Sequence, residues 1–234
     1  MKIIPKAFAL LSLLTCSLHA ESAPKNQMTT SLISNLEAGK AQTIAYYGTS
    51  LTAHGAWNRL LTAELKARYP GLVTAYNNSG SGKNSKWGLE HLEENVLSKN
   101  PDTVFLEFSV NDAVARFKLT PEETKANLNL MIDRILANNP DCEIILQVMN
   151  PVIDRPKGHK GWRPTLEACQ ENYREVAAER GFLLIDYMPA WTELLEKDEA
   201  TFREYVPDGL HPAENGYRAI VMPILLEKLG LETK

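Results

Sequence analysis

From residue 42 onward the chain alternates short apolar runs with longer stretches of helical spacing, and few architectures accept that alternation. The strand candidates are Thr43–Tyr47, Leu72–Tyr76, Thr103–Phe108, Glu143–Val148 and Phe182–Asp186. Between them, Trp57, Leu60, Leu61 and Leu65 recur at helical spacing, and a helix is expected at about 84–98. The next helix opens on Thr120-Pro121-Glu122-Glu123, a capping box with proline at the first helical position, and its apolar face is Leu128, Met131, Ile132 and Ile135. A further helix is expected from about Thr165 to Arg180, stopped by Gly181. The last helix is expected to begin after His211 with Pro212 and to run to Leu229, kinked at Pro223. Nearly continuous apolar strands joined by helices specify a parallel sheet covered on both faces.

The first twenty residues stand outside that pattern. Lys2 and Lys6 precede an apolar run from Ala7 to Leu14, and small residues follow toward Ala20. This reads as a secretory signal peptide cleaved near Ala20, with lipid attachment at Cys16 as the second reading. The run is too short for an ordinary transmembrane helix. The organisation expected is therefore a signal peptide at 1–20, a lead-in segment at 21–41 and one domain at 42–234, exported to the periplasm or beyond. Cleavage removes two lysines and no acids, leaving 23 basic against 29 acidic residues and a net charge of −6. That balance argues against nucleic acid or an anionic membrane as a partner. Cys142 and Cys169 remain, but they are expected toward opposite ends of a strand, too far apart for a disulfide.

A parallel sheet binds ligands beyond the carboxyl ends of its strands. Ser50 follows the first strand, Gly80 the second and Asn111 the third, and the loop at 150–164 follows the fourth. All four therefore rise on one rim. Ser50, where a strand turns into a helix, has the place of a nucleophile, with helix N–H groups nearby to hold an oxyanion. Asp208 and His211, three residues apart near the end of the chain, supply a base and its orienting carboxylate. Taken singly, each also has a plain structural reading: Ser50 as an N-cap, Asp208-Gly209-Leu210-His211 as a turn before a helix, Gly80 and Asn111-Asp112 as turn residues. His54, one turn after Ser50, is a rival base without an obvious acidic partner. Asn78-Ser79-Gly80-Ser81-Gly82-Lys83 lacks the first glycine of a phosphate loop, and Asn84 stands where Ser or Thr should follow Lys83. Asp208 and His211 have no further His or Cys cluster to complete a metal site.

The order Ser…Gly…Asn…Asp-x-x-His, from about Thr43 to Tyr217, resembles the SGNH (GDSL) hydrolase family. The resemblance implies a three-layer α/β/α sandwich with a five-stranded parallel sheet of order 2-1-3-4-5. It implies Ser50 as nucleophile, His211 as base and Asp208 as its orienter. Ser50 N–H, Gly80 N–H and the Asn111 side chain would form the oxyanion hole, and neither metal nor cofactor would be needed. Thr49 stands in place of the Asp of the GDSL signature, and Ser109 in place of the Gly of the Gly-x-Asn-Asp block.

The function expected is an exported esterase removing small acyl groups, acetyl foremost, from carbohydrates. A lysophospholipase or thioesterase of the same fold is the alternative. A catalytically silent glycan-binding protein, or a glycosidase built on Glu107 or Asp112, stand further off. The loop from Asp154 to Arg163 carries four basic residues against one acid. It is expected to bind a glycan ester, with Trp162 stacking on a sugar and Arg155 or Arg163 meeting a nearby anionic group such as a uronate.

Overall fold

The computed structural model describes residue 1 and residues 30–231. The signal peptide, Cys16 and the first part of the lead-in segment lie outside the described residues. The sheet comprises β1 (Gln42–Gly48), β2 (Val73–Asn77), β3 (Thr103–Glu107), β4 (Glu143–Val148) and β5 (Leu183–Asp186), in the order 2-1-3-4-5. Every pairing is parallel, with Tyr46 beside Asn77 on one side and Phe105 on the other. This is the parallel sheet covered on both faces that the alternation implied, in the strand order that the family resemblance implied.

Successive residues of a strand face opposite sides, and β1 divides its side chains accordingly. Ile44 and Tyr46 enter one core with Trp57, Phe105 and Trp191; Ala45 and Tyr47 enter the other with Phe108, Met131 and Tyr173. Both layers are therefore anchored by the same central strand. The edge strand β2 is different, with Thr74, Tyr76 and Asn77 exposed.

The capping box forms as expected on the helix Pro121–Asn138: Thr120 Oγ1 accepts from Glu123 N, and the Glu123 carboxylate accepts from Thr120 N. The helix Leu166–Arg180 ends at Gly181 with φ 71°, left-handed backbone that suits glycine. Other expectations need correction. The stretch 84–98 is no single helix. It divides into Ser85–Glu90, Leu92–Asn95 and a 3₁₀ turn at Leu97–Lys99, breaking at His91, whose ring stacks on Trp87 and bonds the Trp87 carbonyl. The last helix starts at Glu214, not at Pro212. It opens into a π-turn at Tyr217–Val221 and tightens again over Met222–Leu229. Pro223 lacks an N–H, and the wide turn just before it is where the hydrogen-bond ladder changes register.

The lead-in segment also holds more structure than its description implied. Ser31–Glu37 is a helix capped by Thr30, and it buries Leu32, Ile33 and Leu36 in the first core. Its first N–H groups, on Ser31 and Leu32, donate to the two oxygens of Glu143 at the start of β4, at 2.9 and 2.8 Å. Between β5 and Asp208 lie two more helices, Met188–Lys197 and Glu199–Tyr205, which bury Trp191 and Phe202 edge to face. Cys142 and Cys169 are buried free thiols. Among the described residues no helix is long and apolar enough to cross a membrane.

Candidate active site

β1 ends at Gly48, and the chain turns at once into the short helix Ser50–Ala53. Its N-cap is Thr49, whose Oγ1 accepts from Leu51 N at 3.2 Å. Ser50 is therefore not the cap. It occupies the first helical position, and its own N–H meets no acceptor among the described residues.

The Ser50 hydroxyl lies 2.8 Å from His211 Nε2. On the far side of the ring, His211 Nδ1–H donates to Asp208 Oδ2 at 2.7 Å, which leaves Nε2 as the acceptor for the serine proton. Asp208 is itself fixed: its Oδ1 accepts from the backbone N–H groups of His211 and Leu210 at 2.7 and 2.9 Å. Partial burial pushes the Asp208 carboxyl up, but these N–H and imidazole donors outweigh it and hold the group below the usual carboxylate range. The structure thus brings Ser50, Asp208 and His211 into one hydrogen-bonded line. His54 is exposed at the end of the nucleophile's helix and does not line the cavity.

Ser50 and His211 open into a cavity of about 560 Å³. Asn111 reaches it with a fixed amide. Asn111 Oδ1 accepts from Arg163 at 3.2 Å and Nδ2 donates to the Lys83 carbonyl at 2.9 Å, so the two ends of the amide cannot be exchanged. One Nδ2 hydrogen remains available. Arg163 is held in turn by the carbonyls of Val110 and Gly161, at 2.7 and 2.6 Å. Burial lowers its guanidinium to about 10, leaving it charged at neutral pH. Arg163 is thus committed to the protein and acts on the site through Asn111.

Gly80 corrects the expectation. Its N–H donates to the Gly48 carbonyl at 2.9 Å, and it does not line the cavity. Glycine is needed there for packing, since a Cβ would clash with Lys83 Cγ and come 2.9 Å from the Trp87 ring. Gly82, two residues on, lines the cavity with Ser50 and Asn111, and its N–H has no acceptor among the described residues. Its φ of 69° is left-handed backbone that favours glycine. The turn Gly80-Ser81-Gly82-Lys83 was visible in the sequence; which of its glycines faces the serine depends on its curvature.

The loop after β4 does overhang the site, but not as expected. Arg155, His159, Lys160, Gly161 and Arg163 line the cavity, whereas Trp162 does not. Trp162 is half-buried, and its carbonyl accepts from Ala115 N at 3.0 Å. Arg155 donates to the Asp208 carbonyl at 2.6 Å, tying the loop to the triad. Arg116, absent from the sequence-based set, joins the cavity from the 3₁₀ turn Ala115–Phe117 that follows Asn111.

Two carboxylates lie below the site. Glu107 and Asp112 are 0% and 1% exposed, so neither can reach a sugar, and neither can serve the glycosidase alternative. Glu107 Oε2 accepts from Thr49 N, Thr49 Oγ1 and Thr52 Oγ1, at 3.1, 2.8 and 3.2 Å. Burial outweighs these donors and pushes its carboxyl up to about 8; Asp112, which accepts from Ser85 N, is pushed up to about 7 for the same reason. Thr49 in place of the signature Asp now has a reason. An Asp at 49 would set a second carboxylate against Glu107, where the threonine hydroxyl donates instead. Among the described residues no three His, Cys, Asp or Glu side chains are grouped to hold a metal.

Among solved structures, an acetylxylan esterase from Geobacillus stearothermophilus superposes with a TM-score of 0.66 at 22% identity, covering 83% of this chain and 96% of its own. An α/β hydrolase from the metagenome of Lake Arreo, Spain, gives 0.68 at 22% identity, over 83% and 98%. A protein from Parabacteroides merdae described as a GDSL-like lipase gives 0.68 at 19% identity, over 82% and 97%. At such identities the likeness is one of fold. A search of curated proteins by sequence found no match. The sequence profile of the GDSL-like lipase/acylhydrolase family, however, matches residues 43–219, from the first strand past His211 and well over half the chain. The protein therefore belongs to the GDSL-like lipase/acylhydrolase family and is a carboxylic ester hydrolase.

Proposed function

We propose that the protein is an exported serine esterase that removes small acyl groups, acetyl foremost, from carbohydrates. The observation that carries the mechanism is the line from Ser50 Oγ through His211 to Asp208, with both hydrogen bonds under 3 Å. Ser50 Oγ attacks the ester carbonyl while His211 Nε2 takes its proton. The oxyanion is held by the N–H groups of Ser50 and Gly82 and by the free Nδ2–H of Asn111. The tetrahedral adduct collapses, His211 returns the proton to the departing alcohol, and an acyl-Ser50 ester remains. Water, deprotonated by His211, repeats the attack and releases the acid. Asp208 holds the ring's tautomer and stabilises the imidazolium formed in each half.

The substrate rests on separate support. Leu210 is the one large apolar side chain among the residues lining the cavity, so a long acyl chain would find few apolar side chains to bury against. That weighs against the lysophospholipase and thioesterase alternatives. The fold neighbour from Geobacillus is an acetylxylan esterase. Export rests on residues 1–20 alone.

The test is a series of 4-nitrophenyl esters of increasing chain length, run beside acetate release from acetylated polysaccharides. The expected result is highest kcat/KM on acetate, falling as the chain lengthens, with acetate released from at least one glycan. A rise with chain length, or no acetate from any glycan, would overturn the substrate reading.

A further inference from the structure

The wall of the cavity is unevenly charged. Arg116, Arg155, Lys160 and Arg163 line it, and the only acid among the lining residues is Asp208. The protein as a whole is net negative, with 29 acidic residues against 25 basic, so this excess is local.

The four cations are not equivalent. Arg155 is tied to the Asp208 carbonyl and lies 3.8 Å from its carboxylate. Arg163 is turned inward onto Val110, Gly161 and Asn111. The other two are exposed at the mouth. Arg116 donates to the Lys160 carbonyl at 2.6 Å and lies 4.7 Å over the Phe117 ring, contacts that hold its guanidinium in place without neutralising it. Neither Arg116 nor the Lys160 ammonium has a carboxylate partner among the described residues. The same hydrogen bond brings the two segments together: one leaves β3 just after Asn111, the other is the loop after β4. Two unpaired cations on a concave wall concentrate the field into the space where substrate must lie.

We infer that Arg116 and Lys160 form an anion subsite beside Ser50, and that the enzyme selects esters carrying a carboxylate. This deepens the proposed function by naming the charge of its substrate, and it moves the anion contact from Arg155 and Arg163 to two residues still free to make one.

The test uses two matched pairs of aryl esters, normalised to their rates of hydroxide hydrolysis. In one pair, 3-carboxyphenyl acetate is compared with 3-carbamoylphenyl acetate, setting the charge on the alcohol side. In the other, a phenyl hemisuccinate is compared with its succinamide, setting it on the acyl side. The purified full chain should favour the anionic member of at least one pair by about tenfold in kcat/KM, the scale of two unit charges acting across partly solvated space. The preference should shrink as salt rises from about 20 mM to about 500 mM, where the screening length becomes shorter than the cavity is wide. In Arg116→Gln, Lys160→Gln and the double variant the ratio should fall toward one, whereas Lys157→Gln, a charge on the same loop but outside the cavity, should leave it unchanged. Parity on both pairs in the wild type, or a preference that survives the double variant, would overturn the inference. No sugar is present in these probes, so their outcome is independent of whether the natural alcohol is a carbohydrate.

Discussion

Glu107 makes a prediction whose size follows from the structure. Its Oε2 collects three donors, which favour the carboxylate, but it is fully buried and its Oε1 has no partner among the described residues, so desolvation outweighs the donors and favours the neutral acid. The folded protein holds this proton up to about pH 8, while a carboxyl of ordinary pKa 4.5 in the unfolded chain lets it go. Between those values the unfolded state carries one proton fewer, so stability falls as pH rises, by about 1.4 kcal/mol per pH unit for this group. From pH 5 to pH 7 that is about 2.7 kcal/mol, a large fraction of the roughly 5–15 kcal/mol that separates folded from unfolded domains. Asp112, pushed up to about 7, acts in the same direction. Carboxylates held low in the fold, Asp208 among them, have delivered their stabilisation by about pH 5 and do not tilt this window. Glu107→Gln keeps an oxygen for the threonine donors and cannot ionise. Urea unfolding at pH 5, 6 and 7 should show the wild type weakening with pH, and the variant weakening less steeply by about 1.4 kcal/mol per unit. Parallel profiles would refute the argument, because they would mean that Glu107 ionises in the fold as it does in the open chain.

The remaining predictions concern the site. Ser50→Ala should lower ester hydrolysis by about 10⁴-fold or more with the melting temperature unchanged, and a fluorophosphonate should label Ser50; His211→Ala should match it, while His54→Ala should retain most activity. Asn111→Ala should reduce kcat by roughly 10²–10³ with little change in KM. Arg163→Met, which frees the Asn111 amide without removing it, should reduce kcat by a smaller factor, again without raising KM; a raised KM at constant kcat would make Arg163 a substrate contact instead. Gly80→Ala should lower the melting temperature through its clash with Trp87, whereas Gly82→Ala should lower kcat, and the reverse pattern would return the oxyanion role to Gly80.

The parts legible in the sequence were those set by local periodicity and by chain order. The five apolar runs placed the strands to within a residue or two, most clearly β3 and β4, where burial on both sheet faces leaves a strong signal. Ser50 and Asn111 were read from a parallel topology that sends the carboxyl ends of strands to one rim, and the Asp208-His211 pair from its spacing and its place in the chain order. What stayed hidden depends on curvature and on distant partners. Gly80 and Gly82 differ in which way one turn points its N–H groups, and Trp162 and Lys160 differ in which way one loop faces. Arg116 sits in a short turn with no periodicity of its own. The helix Ser31–Glu37 did leave a trace, in the Thr30 cap and the spacing of Leu32, Ile33 and Leu36, but its fixed place depends on Glu143, more than a hundred residues away.

That helix also decides how the domain can be held. Its first N–H groups, on Ser31 and Leu32, meet the first residue of β4, at the amino ends of the strands, while Ser50 and the cavity lie beyond their carboxyl ends. Whatever precedes Thr30 therefore joins the domain at the pole opposite the cavity mouth. A tether, tag or surface attached through that end would turn the opening outward, toward bulk solvent and any large polymer approaching from it, and would leave the approach to Ser50 clear.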